Sequence, residues 1–300
     1  MSSAIVDASS ERYPWLPWVL LAVGVAGASI SAILIRYARD AEPLAISFWR
    51  CAAGAATLLP FARRRLGSIT GRQAGLCLLT GAFLAVHFGT WITSLELTSI
   101  AASVLLVTSS PVFVALLSWW LLKDRLKAAA WLGIALTFVG TAVIAGGDLS
   151  GSALDGNLLA LAGGITVAGY VFVGQIARRD LGIVEYAVVT YAAAAILLVV
   201  LCLLLGVPLW GYDTQTWVAI AALVIGPQLL GHTVLNFVLA DIDATTVSVA
   251  VMAEPVVASA LAFLLFSETP SALIYPGGAA ILAGIYLVSV TRKPPAIVVE

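Results

Sequence analysis

The chain is 300 residues long, 61% hydrophobic and only 10% charged, with a formal net charge of −1. Soluble domains carry about 25% charged residues, so a chain this apolar cannot clothe a water-facing surface and its solvent is lipid. The near-zero charge gives no argument for nucleic-acid binding. Cys51, Cys77 and Cys202 each lie inside an apolar run without CxxC spacing, which argues against a disulfide framework or a zinc site.

The polar start of the chain, through Tyr13, contains Asp7, Glu11 and Arg12. The apolar run that follows is long enough to span a bilayer. A cleaved signal peptide would begin basic and have a shorter apolar core, so a retained first span is expected. A spanning helix needs about 20 mostly apolar residues. Ten segments qualify, at 14–35, 44–62, 74–94, 99–122, 129–146, 157–177, 184–206, 215–239, 244–266 and 272–290. The runs are continuous rather than alternating, so they read as helices and not as strands of a membrane barrel. The loops between them are short and leave no room for a soluble domain. The expected class is an all-α membrane protein.

Arginine and lysine set the orientation. With ten spans both termini share one side, and that side holds Arg12, Arg63, Arg64, Arg65, Arg72, Lys123, Arg125, Lys127, Arg178, Arg179, Arg292 and Lys293. The opposite loops hold only Arg36 and Arg39. Both termini are therefore expected in the cytoplasm, in a bacterial-type inner membrane.

Shifting the sequence by 144 residues superposes its halves. Leu95 meets Leu239, Pro111 meets Pro255, Asp124 meets Glu268, Gly133 meets Gly277 and Gly140 meets Gly284. Earlier, Gly24 meets Gly164 and Asp40 meets Asp180 at a shift of 140. Each copy holds five spans, an odd number, so the second enters the membrane inverted. Two inverted five-helix repeats, at residues 1–146 and 157–290, are the expectation, and such repeats mark secondary transporters.

The run from Ala253-Glu254-Pro255-Val256 to Ser267-Glu268, followed by Gly277 and Gly284, resembles the EamA-type family of the drug/metabolite transporter superfamily. Phe48-Trp49-Arg50 is similar to that family's arginine early in its second span, and Leu95-Glu96-Leu97-Thr98-Ser99 to the joint between its third and fourth. The resemblance covers nearly the whole chain. It implies ten spans, cytoplasmic termini and carriage of small metabolites, often amino acids or their analogues, usually outward. The first copy departs from it in having Ser110-Pro111 where the second has Glu254-Pro255.

Charge inside lipid costs about 2.5–3.5 kcal/mol at a helix centre, so intramembrane ionisable residues need a reason. Glu254 falls near the middle of the ninth expected span, beside a proline that frees a backbone carbonyl. It is the candidate proton-coupling or substrate-amine site, against the alternative of an acid that pins a kinked helix. Arg50 is either a partner for Glu96 at the same depth, the favoured reading, or a bidentate clamp for a substrate carboxylate. His87 and Trp91 share a helix face at i, i+4, and Gln228 and His232 repeat that spacing. Tyr170, Gln175, Thr108, Ser109 and Ser110 add hydrogen-bonding groups, each of which can equally serve the backbone or a neighbouring helix. Trp15, Trp18, Trp119, Trp120, Trp210 and Trp217 read as interfacial belt residues, with Trp49 and Trp91 as exceptions. The candidate cavity is thus Trp49, Arg50, His87, Trp91, Ser109, Ser110, Tyr170, Gln228, His232 and Glu254.

There is no G-x-x-x-x-G-K-[ST], H-E-x-x-H or G-x-S-x-G motif, so neither a nucleotide engine nor an intramembrane enzyme is indicated. No cofactor and no metal is called for. The partners implied are a small-molecule substrate and the lipid bilayer, with monomer and dimer both open. The expected function is export of an amino acid or similar zwitterionic or neutral compound. The alternatives are a carrier of cationic drugs, nucleosides or sugars, and a non-transporting or enzymatic membrane protein.

Overall fold

The computed structural model describes residues 13–98, 100–123, 125–144, 154–254, 256–257 and 272–291. Among these the regular structure is entirely helical. In chain order the helices are α1 Leu16–Ser29, α2 Ser31–Tyr37, α3 Pro43–Ala62, α4 Gly71–Leu97, α5 Ile100–Val107, α6 Ser110–Leu122, α7 Ala128–Ile144, α8 Leu154–Arg178 and α9 Ile183–Leu205. They continue with α10 Thr214–Leu223, a π-helical segment Val224–Thr233, α11 Val234–Val238, α12 Ala244–Val251 and α13 Ile274–Thr291. Seven helical stretches among the described residues are long and apolar enough to cross a membrane, and the apolar helices at Ala128–Val143 and Tyr275–Thr291 are shorter. The expected ninth span is described only in its first part, and Arg12, Asp124, Pro255, Glu268, Arg292 and Lys293 lie outside the described residues.

The caps follow from the sequence. Thr70 and Gln73 form a capping box at the start of α4. Asp213 accepts from the Thr216 amide at 2.7 Å to open α10, and Asp243 accepts from that of Thr246 at 3.2 Å to open α12. Each spanning stretch buries at most half of its apolar window. Side chains such as Phe61, Leu204 and Leu205 remain exposed, as expected when the surroundings are as apolar as the core. Trp15, Trp18, Trp119, Trp120 and Trp210 are exposed too.

Four expected spans are interrupted. The first breaks at Ile30 between α1 and α2. The fourth breaks after Val107 and resumes at Ser110. A proline ring inside a helix clashes with the carbonyl four residues back, and four residues before Pro111 is Val107. The hydroxyls of Thr108 and Ser109 donate to the carbonyls of Val104 and Leu106 at the break. The same arithmetic applies in the second half: α12 ends at Val251, four residues before Pro255, and helical geometry returns at Glu254. The eighth span is the fourth case, and its π segment contains Pro227.

Two glycine pairs fix the contact of α7 with α13. A Cβ on Gly133 would lie 2.7 Å from the Gly284 carbonyl, and one on Gly284 would lie 2.5 Å from the Gly133 carbonyl. A Cβ on Gly140 would lie 2.5 Å from the Gly277 carbonyl. Only glycine permits so close an approach, the usual role of small residues in membrane helix pairs. The pairing is crossed: 133 meets the counterpart of 140, and 140 meets the counterpart of 133. Such reciprocal contacts are what a two-fold relation between the helices produces.

The remaining helices surround a shared interior. Helix α4 packs along α8 and against α9, α3 packs on α9, and α1 packs on the π segment and α11. The largest buried cluster includes Ile46, Leu84, Phe88, Trp91, Tyr170, Tyr191 and Leu198.

Candidate functional site

Polar residues from several helices meet at one cavity. Its walls include Ser31, His87, Trp91, Thr108, Ser110, Tyr170, His232, Asn236, Ser248 and Glu254, with apolar filler such as Val107, Val171 and Leu239. The space open to water centres is about 80 Å³. One water needs roughly 10–15 Å³ on that measure, so the cavity holds several waters or a small organic solute.

Each wall is oriented by its own local structure. Helix α4 carries His87 and Trp91 one turn apart, and their rings stack at 5.8 Å with an interplanar angle of 3°. The Nδ1 of His87 lies 3.0 Å from the Gly163 carbonyl. A carbonyl only accepts, so the proton sits on Nδ1. Gly163 permits the close packing of α8 on α4, since a Cβ there would be 3.1 Å from that of Trp91. From the opposite wall His232 meets His87 at 6.4 Å, Tyr170 at 5.8 Å and Phe88 at 5.1 Å between ring centroids. Asn236, one turn beyond His232, donates from Nδ2 to the Tyr170 hydroxyl and, at 2.7 Å, to the His232 carbonyl. That amide therefore ties α8 to the end of the π segment. Ser110 and Glu254 enter at the two equivalent helix restarts.

Of the ten residues expected from the sequence, His87, Trp91, Ser110, Tyr170, His232 and Glu254 line this cavity. Four do not. Trp49 stands among aromatic rings, 4.6 Å from Trp210 and 5.2 Å from Trp217, and its indole nitrogen donates to the Leu209 carbonyl at 2.9 Å. Ser109 bonds its own helix through the Leu106 carbonyl. Gln228 is fully buried but packs against Gly54 on α3. The i, i+4 spacing fails to bring it beside His232 because the segment between them is π-wound, with i+5 bonding in place of i+4. Arg50 is 0% exposed and does not pair with Glu96, which is exposed. Instead its guanidinium lies 4.1 Å over the Phe88 ring and its Nη1 donates to the Ser31 hydroxyl at 3.2 Å. A buried ring face and a hydroxyl replace the expected carboxylate.

Sequence reasoning missed Ser31, Asn236 and Ser248. Asn236 had a usable signal, since an amide within an apolar span needs a partner. The serines had none, because such hydroxyls commonly bond their own helix, as Ser248 does to Thr245.

At one end of the bundle, Arg178 donates to the carbonyls of Asn236 at 3.0 Å, of Leu181, and of Phe237 at 3.5 Å. Arg72 reaches Asp180 at 4.0 Å and Arg65 reaches Glu185 at 3.7 Å. These contacts join α4, α8, α9 and α11 below the cavity. Among the described residues no cluster of histidine, cysteine and acidic groups could hold a metal.

The profile of the EamA-like transporter family matches residues 15–146 and 154–290. Among curated proteins, the uncharacterized transporter YdfC of Bacillus subtilis (strain 168) is 25% identical over 60% of this chain and 60% of its own length. The uncharacterized transporter sll1319 of Synechocystis sp. is 29% identical over 53% and 49%. The uncharacterized transporter YwfM of Bacillus subtilis (strain 168) is 26% identical over 85% and 86%. The chain thus spans about half to three-fifths of the first two relatives. One solved crystal structure of a protein superposes with a TM-score of 0.76 at 21% identity, covering 91% of this chain and 96% of that one, a likeness of fold.

Proposed function

We propose that this chain, which belongs to the EamA-like transporter family, exports amino acids or similar zwitterionic or neutral solutes through the cavity between His87 and Glu254, by alternating access. The observation that carries the reading is the cavity itself. It is built from both halves of the sequence, is lined by two histidines, an acid and several neutral polar groups, and has room for a small solute. Polyanions would require several lysines or arginines on its walls, and among the described residues none lines it.

Alternating access needs two halves that rock about a shared site. In this reading residues 1–146 and 157–290 are inverted repeats of five spans each, ten in all. Support comes from the helix breaks at Val107 and Val251 and from the crossed glycine contacts of α7 with α13. Both termini are assigned to the cytoplasm and the chain to an inner membrane on the distribution of arginine and lysine. Glu254 is assigned proton coupling, as an acid at a helix restart facing the cavity. The chain is taken as a carrier rather than an enzyme, in line with relatives that are themselves called transporters.

The test is counterflow. Proteoliposomes preloaded with a single unlabelled amino acid are given the same compound labelled outside. Transient accumulation above the protein-free control is expected for at least one amino acid. Absence of accumulation with every amino acid, nucleoside and cationic dye tried, or conversion of the labelled compound to a product, contradicts the reading.

A further inference from the structure

We propose that Arg50 and Gln228 form an occluded subsite behind Ser31 that takes the carboxylate of the substrate, while Glu254 across the cavity meets its ammonium group. The inference rests on the transport reading of the cavity and narrows its substrate from zwitterionic or neutral solutes to zwitterions.

Four observations carry it. First, Arg50 is 0% exposed, yet its Nε and Nη2 have no hydrogen-bond partner among the described residues. Nearly all buried polar groups are bonded, and a guanidinium in a membrane interior without a counter-charge is costly. The ion pairs among the described residues are Arg65 with Glu185 and Arg72 with Asp180, so Arg50 has none. Second, the nitrogens left over are the right two. Nε–H and the Nη2–H beside it form one straight edge of the guanidinium, the edge that grips a carboxylate with two parallel hydrogen bonds. The third nitrogen, Nη1, is held by Ser31. The ring of Phe88 supports one face of the plane. The group is held in place and its bidentate edge is free.

Third, Gln228 is buried against α3, the helix that carries Arg50, with both amide atoms unpartnered among the described residues. Gly54 is one turn past Arg50 on α3, and a Cβ there would lie 3.0 Å from the Gln228 Cγ. Gln228 therefore packs on the same face of α3 from which Arg50 leaves, one turn away, and its unpartnered amide is the group assigned to complete a carboxylate's shell. Fourth, the subsite adjoins the cavity. Ser31 both lines the cavity and bonds Arg50. It opens α2 directly after the break at Ile30. Glu254 is on the cavity wall. A guanidinium behind the cavity wall at Ser31 and a carboxylate on that wall offer opposite charges to the carboxylate and ammonium of a zwitterion.

The experiment compares ligands that differ only at the carboxylate. Purified full-length protein is titrated by thermal shift with leucine, phenylalanine and threonine, each beside its amide and its decarboxylated amine. Ligands that bind only the folded state raise its melting temperature. The expected result is that at least one amino acid binds roughly tenfold to a hundredfold more tightly than its amide and amine, the range for a hydrogen bond to a charged group. Arg50→Gln should bind that acid and its amide alike, while Arg50→Lys keeps a reduced preference. Should Arg50→Gln fail to fold, the wild-type series decides alone. Equal binding of acid and amide by the wild type, or a folded Arg50→Gln that still prefers the acid, overturns the carboxylate subsite and leaves the transport reading standing. No shift with any amino acid, together with no counterflow of any solute, overturns both.

Discussion

Residues Gly71–Leu97 and Thr214–Val238 hold corresponding positions in the two halves of the sequence, and each carries a histidine to the cavity. The first is a single α-helix of 27 residues. The second passes from α-helix through ten residues of π-helix and back. Their caps, Thr70 and Asp213, are 143 residues apart, whereas Pro111 and Pro255 downstream are 144 apart. The second copy thus carries one extra residue between those points. A π bulge is the helix's way of absorbing one, and such bulges gather at functional sites. The faces that join α7 and α13 show the opposite behaviour, with glycines in register and contacts that are reciprocal. Scaffold contacts keep the symmetry of the repeat, and the cavity departs from it.

The first way to break this comparison is at the scaffold. Gly284→Leu drives a side chain into the Gly133 carbonyl and Thr137. Overpacking costs about 1–3 kcal/mol and sometimes more, so a large fall in melting temperature or loss of folded protein is expected. Gly75, with nothing within 4 Å of its would-be Cβ, is the control. Gly75→Ala should leave the melting temperature unchanged or raise it slightly, since alanine is the better helix former by roughly 0.5–1 kcal/mol.

The second concerns the helix restarts, where one copy has Ser110 and the other Glu254. Glu254→Gln keeps shape and hydrogen bonding but cannot titrate. The coupling role predicts folded protein that still exchanges substrate, though with weaker affinity because the amide offers the ammonium no charge, while transport driven by an imposed pH gradient is lost. A structural role predicts poor expression and a lowered melting temperature, with the pH response intact in what survives.

The third is smaller and addresses the π segment itself. Ile225 faces outward, 62% exposed. Deleting it removes the extra residue and should let Val224–Thr233 wind as an ordinary helix. Folded protein with weakened counterflow is expected, because His232 and Asn236 turn away from Tyr170. A deletion as damaging as Gly284→Leu would mean that the bulge is part of the scaffold.

These contrasts also explain what the sequence could reveal. Apolar runs act locally, so the helices and the shared face of His87 and Trp91 were legible, whereas the fourth span was read as continuous and its break before Pro111 was not legible. The glycines that match at a shift of 144 were legible as a repeat, though not as partners of one another. The π winding was not, because its traces are one proline and a one-residue slip in register. Gln228 was misplaced for that reason. The Arg50 pairing with Glu96 was misjudged because depth in the membrane says nothing about which way a side chain leaves its helix. Arg50 turns inward to Ser31 and Phe88, while Glu96 stays exposed.

Alternating access through the cavity is the central claim, and cysteine labelling tests it directly. The native Cys51, Cys77 and Cys202 are all fully buried and provide a quiet background. Ser248 lines the cavity at 3% exposure, so Ser248→Cys reports its accessibility. A membrane-impermeant thiol reagent is applied to oriented vesicles from either side, with and without a transported amino acid. The account predicts that Cys at this position reacts from both sides and that substrate shifts the balance between them. Reaction from one side only under every condition, or reaction indifferent to substrate, would contradict it.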